Sequence, residues 1–120
     1  MKKILIADDK ATSRELVRTV LEDSGYEILE AGDGAEALER ARLEHPDLII
    51  LDLHMPRLDG FGVIEALRRE RDFAATPVMA LTASAMMGDR ERAMAAGFTG
   101  YIAKPISLAV LRSEVERLLR

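Results

Sequence analysis

Four uninterrupted apolar runs in this chain each stop on a polar residue. Ile4-Leu5-Ile6-Ala7 runs into Asp8 and Asp9, Leu48-Ile49-Ile50-Leu51 into Asp52, Val78-Met79-Ala80-Leu81 into Thr82, and Tyr101-Ile102-Ala103 into Lys104. Such a run predicts a strand buried on both faces, with its last residue emerging at the edge of the sheet. Glu27–Ala31 reads as a further short strand, second in chain order. Between the strands the spacing turns helical. Leu16, Val17, Val20 and Leu21 fall on one helical face, with Thr12 and Glu15 spaced as a capping box and Gly25 as a stop. Gly32-Asp33-Gly34 turns the chain into an alanine-rich helix over residues 35–44, which ends before Pro46. A loop over residues 53–60, shaped by Asp59-Gly60, leads into a helix at 61–70. Thr76-Pro77 then opens the fourth strand, and a helix over Asp89–Ala96 stops at Gly97. Ser107 is placed to cap a last helix with Leu108, Leu111, Val115 and Leu118 as its buried stripe.

Strands alternating with helices predict an α/β fold: a doubly wound, five-stranded parallel sheet with helices on both faces and right-handed crossovers. With 120 residues the chain reads as a single domain, residues 1–120, too short for two nucleotide-binding halves or an eight-stranded barrel. The strand order 2-1-3-4-5 fits best, and it places a ligand beyond the carboxyl ends of the first and third strands. Asp8, Asp9 and Asp52 flank that point.

Composition narrows the function classes. Aromatic residues make up only 4 %, without Trp, so the core must be aliphatic. The absence of Cys excludes disulfides, thiolate catalysis and Cys-ligated zinc. A net charge of −4, with no basic run, argues against direct nucleic-acid binding. No apolar stretch approaches the roughly 20 residues of a membrane span, and Asp8-Asp9 cuts short the one that follows Met1-Lys2-Lys3. The expectation is a cytoplasmic protein without membrane contact.

Taken singly, the strand-end residues have bland readings. Asp8-Asp9 could cap a helix, Asp52 could be a turn residue before Met55-Pro56, Thr82 could be strand packing, and Lys104 could be solvated. Their joint placement on one sheet edge reverses those readings, because caps and turns have no reason to collect there. Three crowded carboxylates repel and want a cation. A neighbouring ammonium and hydroxyl suit an arriving phosphoryl group.

At this point the chain resembles the CheY-like receiver domains of two-component response regulators. The resemblance rests on Asp8-Asp9 after the first strand, the segment Asp52-Leu53-His54-Met55-Pro56-Arg57-Leu58-Asp59-Gly60, Leu81-Thr82-Ala83, and Lys104-Pro105. It covers residues 3–119 and leaves no room for an output domain. The stretches following Thr82 and Tyr101 look most like DivK-type single-domain receivers and the receiver modules of hybrid kinases. The resemblance implies that Asp52 accepts a phosphoryl group from a histidine kinase or a histidine phosphotransfer protein. It implies Mg²⁺, or Mn²⁺, held by Asp9 and Asp52, with Asp8 nearer to water-mediated contact and the backbone carbonyl of His54 completing the site. Lys104 and Thr82 would each meet a phosphate oxygen, Ala83 would leave room, and Pro105 would follow a cis peptide. The protein would not be a turnover enzyme, although it would catalyse its own phosphorylation and dephosphorylation. In the family, Thr82 moves toward the phosphate and the position of Tyr101 swings between exposed and buried. The fourth helix, fifth strand and last helix would then present the changed surface to a downstream protein. Plain strand packing is the other reading of Tyr101. Met86 and Met87 read either as local packing or as an adaptable partner surface. His54 is placed to affect attacking water or to be a bystander, and His45 reads as a surface residue.

Three rivals stand beside this reading. A haloacid-dehalogenase-like phosphatase wants a second Asp two residues after its nucleophile, where this chain has His54. A flavodoxin wants a Ser, Thr and Gly-rich first loop, whereas Asp8-Asp9 would repel a phosphate. A receiver-like binding module independent of phosphorylation would be expected to have lost some of the acceptor, acidic pair, hydroxyl or lysine, and all are present.

Overall fold

A computed structural model describes residues 1–83 and 88–120. Its central strands are buried along their length, apart from the partly exposed Lys3 that opens the first of them. The strands are β1 (Lys3–Ala7), β2 (Glu27–Ala31), β3 (Leu48–Asp52), β4 (Val78–Thr82) and β5 (Gly100–Ala103). They pair in parallel in the order β2-β1-β3-β4-β5, as the alternation of elements predicts. The helices among the described residues are α1 (Ala11–Asp23), α2 (Gly34–Glu44), α3 (Gly60–Arg69), α4 (Asp89–Ala96) and α5 (Leu108–Leu118), with a 3₁₀ turn at Arg71–Phe73. The register aligns Ala7 with Leu51, Asp52 with Leu81, and Thr82 with Ala103, so the polar strand ends share one edge. None of the described helices is long and apolar enough to cross a membrane.

The pleat sorts the core into two layers. Ile4, Ile6, Leu48, Ile50, Met79, Leu81 and Ile102 face α1 and α5, where they meet Val17, Leu21, Leu111 and Val115. Leu5, Ala7, Ile49, Leu51, Val78 and Ala80 face the opposite way, onto Ala37, Ala41, Ile64, Leu67 and Ala93 of α2, α3 and α4.

Three sequence expectations fail locally. The Thr12–Glu15 capping box does not form: helix α1 begins at Ala11, with Lys10 at the N-cap position and no side-chain cap. The reason is that the Lys10 N–H is taken by the Asp8 carboxylate at 2.9 Å, which closes the turn before Thr12 is reached. Leu16 lies outside the packed stripe of α1 and is 46 % exposed, because the helix meets the sheet through Val17, Val20 and Leu21. Leu108, in the first turn of α5, is likewise exposed, whereas Leu111 and Val115 are buried. Ser107 does cap α5, accepting the Val110 N–H. Helices α2 and α3 each start one residue earlier than predicted, capped by Asp33 and Asp59. The Lys104–Pro105 peptide is cis.

Arg68 ties three connections together from inside. Its guanidinium donates to the carbonyls of Phe73 (2.7 Å), Thr76 (2.8 Å) and Gly97 (2.8 Å), joining α3 to the turn before β4 and to the end of α4. Arg68→Ala removes the guanidinium donors from the Thr76 and Gly97 carbonyls, while the Phe73 carbonyl keeps the Thr76 N–H at 3.3 Å, and should lower stability by about 2 kcal/mol. A urea midpoint displaced at unchanged slope is the expected readout.

Candidate functional site

The edge formed by the carboxyl ends of β1, β3, β4 and β5 carries a compact charged cluster. Asp8 and Asp52 are almost wholly buried, at 1 % and 4 % exposure, while Asp9 is exposed. A carboxylate oxygen from each of the three lies within 4.8 Å of the others. The Lys104 ammonium is 3.1 Å from Asp8 Oδ2 and 3.4 Å from Asp52 Oδ2. Each buried carboxylate has its other oxygen fixed by a backbone donor: Lys10 N–H to Asp8 Oδ1, and His54 N–H to Asp52 Oδ1 at 2.9 Å. Thr82 is fully buried at the end of β4, and its carbonyl accepts the Lys104 N–H at 2.7 Å.

Burial governs Asp8. It pushes the carboxyl pKa above the usual value, reinforced by the Asp52 charge and opposed by the bonds from Lys10 and Lys104. For Lys104, burial works against the ammonium, but the hydrogen bond to Asp8 and the field of Asp52 outweigh it and raise its pKa. One cation therefore serves two buried anions, with a third anion at the rim. A set of hard oxygen donors with surplus negative charge suits a small divalent ion such as Mg²⁺ or Mn²⁺, which accepts few protein carboxylates and keeps several waters.

The strand-end residues predicted from sequence are brought together: Asp8, Asp9, Asp52 and Lys104 meet directly, and Thr82 ends the adjacent strand. The His54 imidazole is exposed, and what the residue contributes here is its backbone N–H. Tyr101 is half-buried against the α2–α3–α4 layer, beside Ala80 in register; burial and then the charges of Asp89 and Glu91 push its pKa up. Met86, Met87 and most of the connection from Thr82 to Gly88 lie outside the described residues.

Two supports of the site were missed. Arg14 Nη1 donates to the Asp8 carbonyl at 2.6 Å, which no spacing in the sequence signals. The loop after Asp52 is also packed backbone against backbone. A methyl group on Gly60 would sit 2.8 Å from the Asp52 carbonyl oxygen, and one on Gly34 would collide with the Leu58 carbonyl. A glycine in a first helical turn was the available signal for such close approach. Gly60→Ala should cost about 1–3 kcal/mol of stability, read by chemical denaturation, because the atoms it strikes are main chain.

The chain matches the response regulator receiver domain family over residues 4–116. It is 43 % identical over 119 residues to a probable transcriptional regulator ycf27 of Cyanophora paradoxa, covering 99 % of this chain and 48 % of that protein. The chain thus spans about half the length of the ycf27 relatives it matches. It is 41 % identical over 107 residues to the polar-differentiation response regulator DivK of Brucella ovis, covering 89 % of this chain and 87 % of DivK. Among solved structures, the Vibrio cholerae chemotaxis protein CheY4 superposes with a TM-score of 0.93 at 35 % identity, over 99 % of both chains. The receiver domain of the sensor histidine kinase PA1611 of Pseudomonas aeruginosa superposes at 0.91 with 31 % identity, over 98 % and 97 % of the two chains. That structure is described with a magnesium ion coordinated in its active-site cleft. Fold, strand-end cluster and sequence kinship agree: the chain belongs to the response regulator receiver domain family of two-component systems, CheY-like in architecture.

Proposed function

We propose that the chain is a phosphoacceptor in which Asp52 takes a phosphoryl group from a phosphohistidine on a histidine kinase or phosphotransfer protein. The observation that carries this reading is the buried Asp52 carboxylate 3.4 Å from Lys104 Nζ and within 4.8 Å of the Asp8–Asp9 pair. In the transfer, an Asp52 carboxylate oxygen forms a bond to phosphorus as the bond from phosphorus to the donor imidazole breaks, giving an acyl phosphate and free histidine. A bound Mg²⁺ or Mn²⁺ supplies the positive charge that lets two anions meet. Asp9 and Asp52 would hold it directly, with Asp8 nearer to water-mediated contact and the His54 backbone carbonyl completing the set, in line with the family and with the ion described in the PA1611 receiver. Lys104 neutralises one phosphate oxygen, and the Thr82 hydroxyl serves another. The His54 N–H holds one Asp52 oxygen, leaving the other beside Lys104.

The output follows from Thr82 and Tyr101 lying on neighbouring strands near α4. Recruitment of Thr82 to the phosphoryl group alters the packing available to Tyr101, and the α4–β5–α5 face then presents a different surface to a downstream protein. Incubation with acetyl phosphate and Mg²⁺, followed by intact-mass measurement, tests the reading. A gain of one phosphoryl group that disappears with a chelator is expected, and no gain at saturating Mg²⁺ overturns it.

A further inference from the structure

Asp9 is the exposed member of the carboxylate cluster, so packing does not hold it. What fixes its direction is the backbone from Asp8 to Lys10, which is pinned at four points, two of them on the peptide units that flank Asp9. The Asp8 N–H donates to the Ala31 carbonyl at 3.1 Å, and the Lys10 N–H donates to Asp8 Oδ1. The other two bonds both come from Arg14. Its Nη1 donates to the Asp8 carbonyl at 2.6 Å, and its backbone N–H donates to the Lys10 carbonyl at 3.1 Å. The guanidinium is itself set by Glu30 at the end of β2, with Nε to Oε1 at 3.2 Å and a side chain only 21 % exposed. Glu30 also pairs through its other oxygen with Arg18 Nη1 at 2.7 Å. The two arginines therefore share one carboxylate, but of these two only Arg14 also donates to the Asp8 carbonyl.

We infer that Arg14 is a positioning residue for divalent-cation binding: through the Asp8 carbonyl it orients the Asp8–Lys10 strap so that the Asp9 carboxylate faces the site. This rests on the metal-assisted phosphoacceptor reading above. Groups that orient a ligand without touching the metal commonly change metal affinity by about 10–100-fold.

Arg18 supplies the internal control, because Arg18→Ala removes an ion pair to the same Glu30 and leaves the Asp8 carbonyl bond intact. Mg²⁺ titrations followed by backbone amide shifts, on the wild type, Arg14→Ala and Arg18→Ala, give affinity without reference to activity. The half-saturating Mg²⁺ concentration should rise about tenfold in Arg14→Ala and less than twofold in Arg18→Ala. Labelling by acetyl phosphate should then show the same rise in Mg²⁺ requirement, with a near-normal rate once Mg²⁺ saturates. Wild-type affinity in Arg14→Ala, or equal losses in both variants, overturns the inference while leaving the phosphoacceptor reading intact. A wild-type protein that binds no Mg²⁺ overturns both. Should Arg14→Ala fail to fold, Arg14→Lys keeps the cation beside Glu30 but cannot span Glu30 and the Asp8 carbonyl together. Its Mg²⁺ requirement should also rise, and an unchanged requirement overturns the inference.

Discussion

Asp52→Asn should abolish phosphoryl uptake, reducing labelling by acetyl phosphate at least a thousandfold, or about 4 kcal/mol in barrier. The amide is nearly the same shape, and its oxygen can still accept the His54 N–H, so the loop after β3 keeps its anchor. What is lost is the anionic nucleophile and one partner of Lys104. Loss of one buried negative charge also relieves Asp8, so the variant should fold at least as stably as the wild type when no metal is added. Intact mass after identical incubations decides the matter. Near-normal labelling of a well-folded Asp52→Asn would move the acceptor to another carboxylate and sink the assignment.

Asp8→Asn should shift stability and metal affinity in opposite directions. Burial raises the Asp8 pKa in the folded protein above the unfolded reference of 3.8, even with Lys10 and Lys104 pulling it down. A carboxyl raised in this way favours the fold while protonated. Its contribution is fully present below the unfolded value and is lost as pH rises through the folded one. At neutral pH the ionised group is therefore a net burden on the metal-free protein, after its attraction to Lys104 is counted. Asp8→Asn should raise metal-free stability at pH 7 by about 1 kcal/mol, a gain that shrinks as pH falls toward 4 and below. The same change should weaken Mg²⁺ binding about tenfold or more. Urea midpoints at pH 7 and pH 4, with and without Mg²⁺, provide the comparison. A lower midpoint at pH 7 without metal would mean that Lys104 overcompensates the repulsion.

Four of the five strands were legible because a parallel sheet covered on both faces favours apolar runs without interruption, so each polar residue at a run's end marks the edge. That property marks Asp8, Asp52, Thr82 and Lys104 from the sequence alone. Side-chain partners with no periodic signature were not legible. Arg14 sits on the polar side of an amphipathic helix, and nothing in its spacing distinguishes a solvated guanidinium from one bonded to the Asp8 carbonyl. The Thr12–Glu15 pattern satisfied a capping rule, but Asp8 closed the preceding turn first. Leu16 shares a helical face, and Leu108 a stripe, with buried residues, because a residue adjoining a packed stripe looks the same in one dimension as a member of it.

The two-layer sorting of the core bears on how the chain tolerates insertions and deletions. Along β1, Ile4 and Ile6 face the α1–α5 layer, and so do Leu48 and Ile50 along β3. Adding or deleting one residue inside either strand would send every apolar side chain beyond the change to the opposite layer and turn Asp8 or Asp52 away from Lys104 at the same time. Packing and chemistry thus depend on one count of residues, so a frame error in a central strand should not yield a stable but inactive protein. Length changes should instead survive at the opposite edge of the sheet. There the connection Ser24-Gly25-Tyr26 joins α1 to β2 without contributing a side chain to the carboxylate cluster.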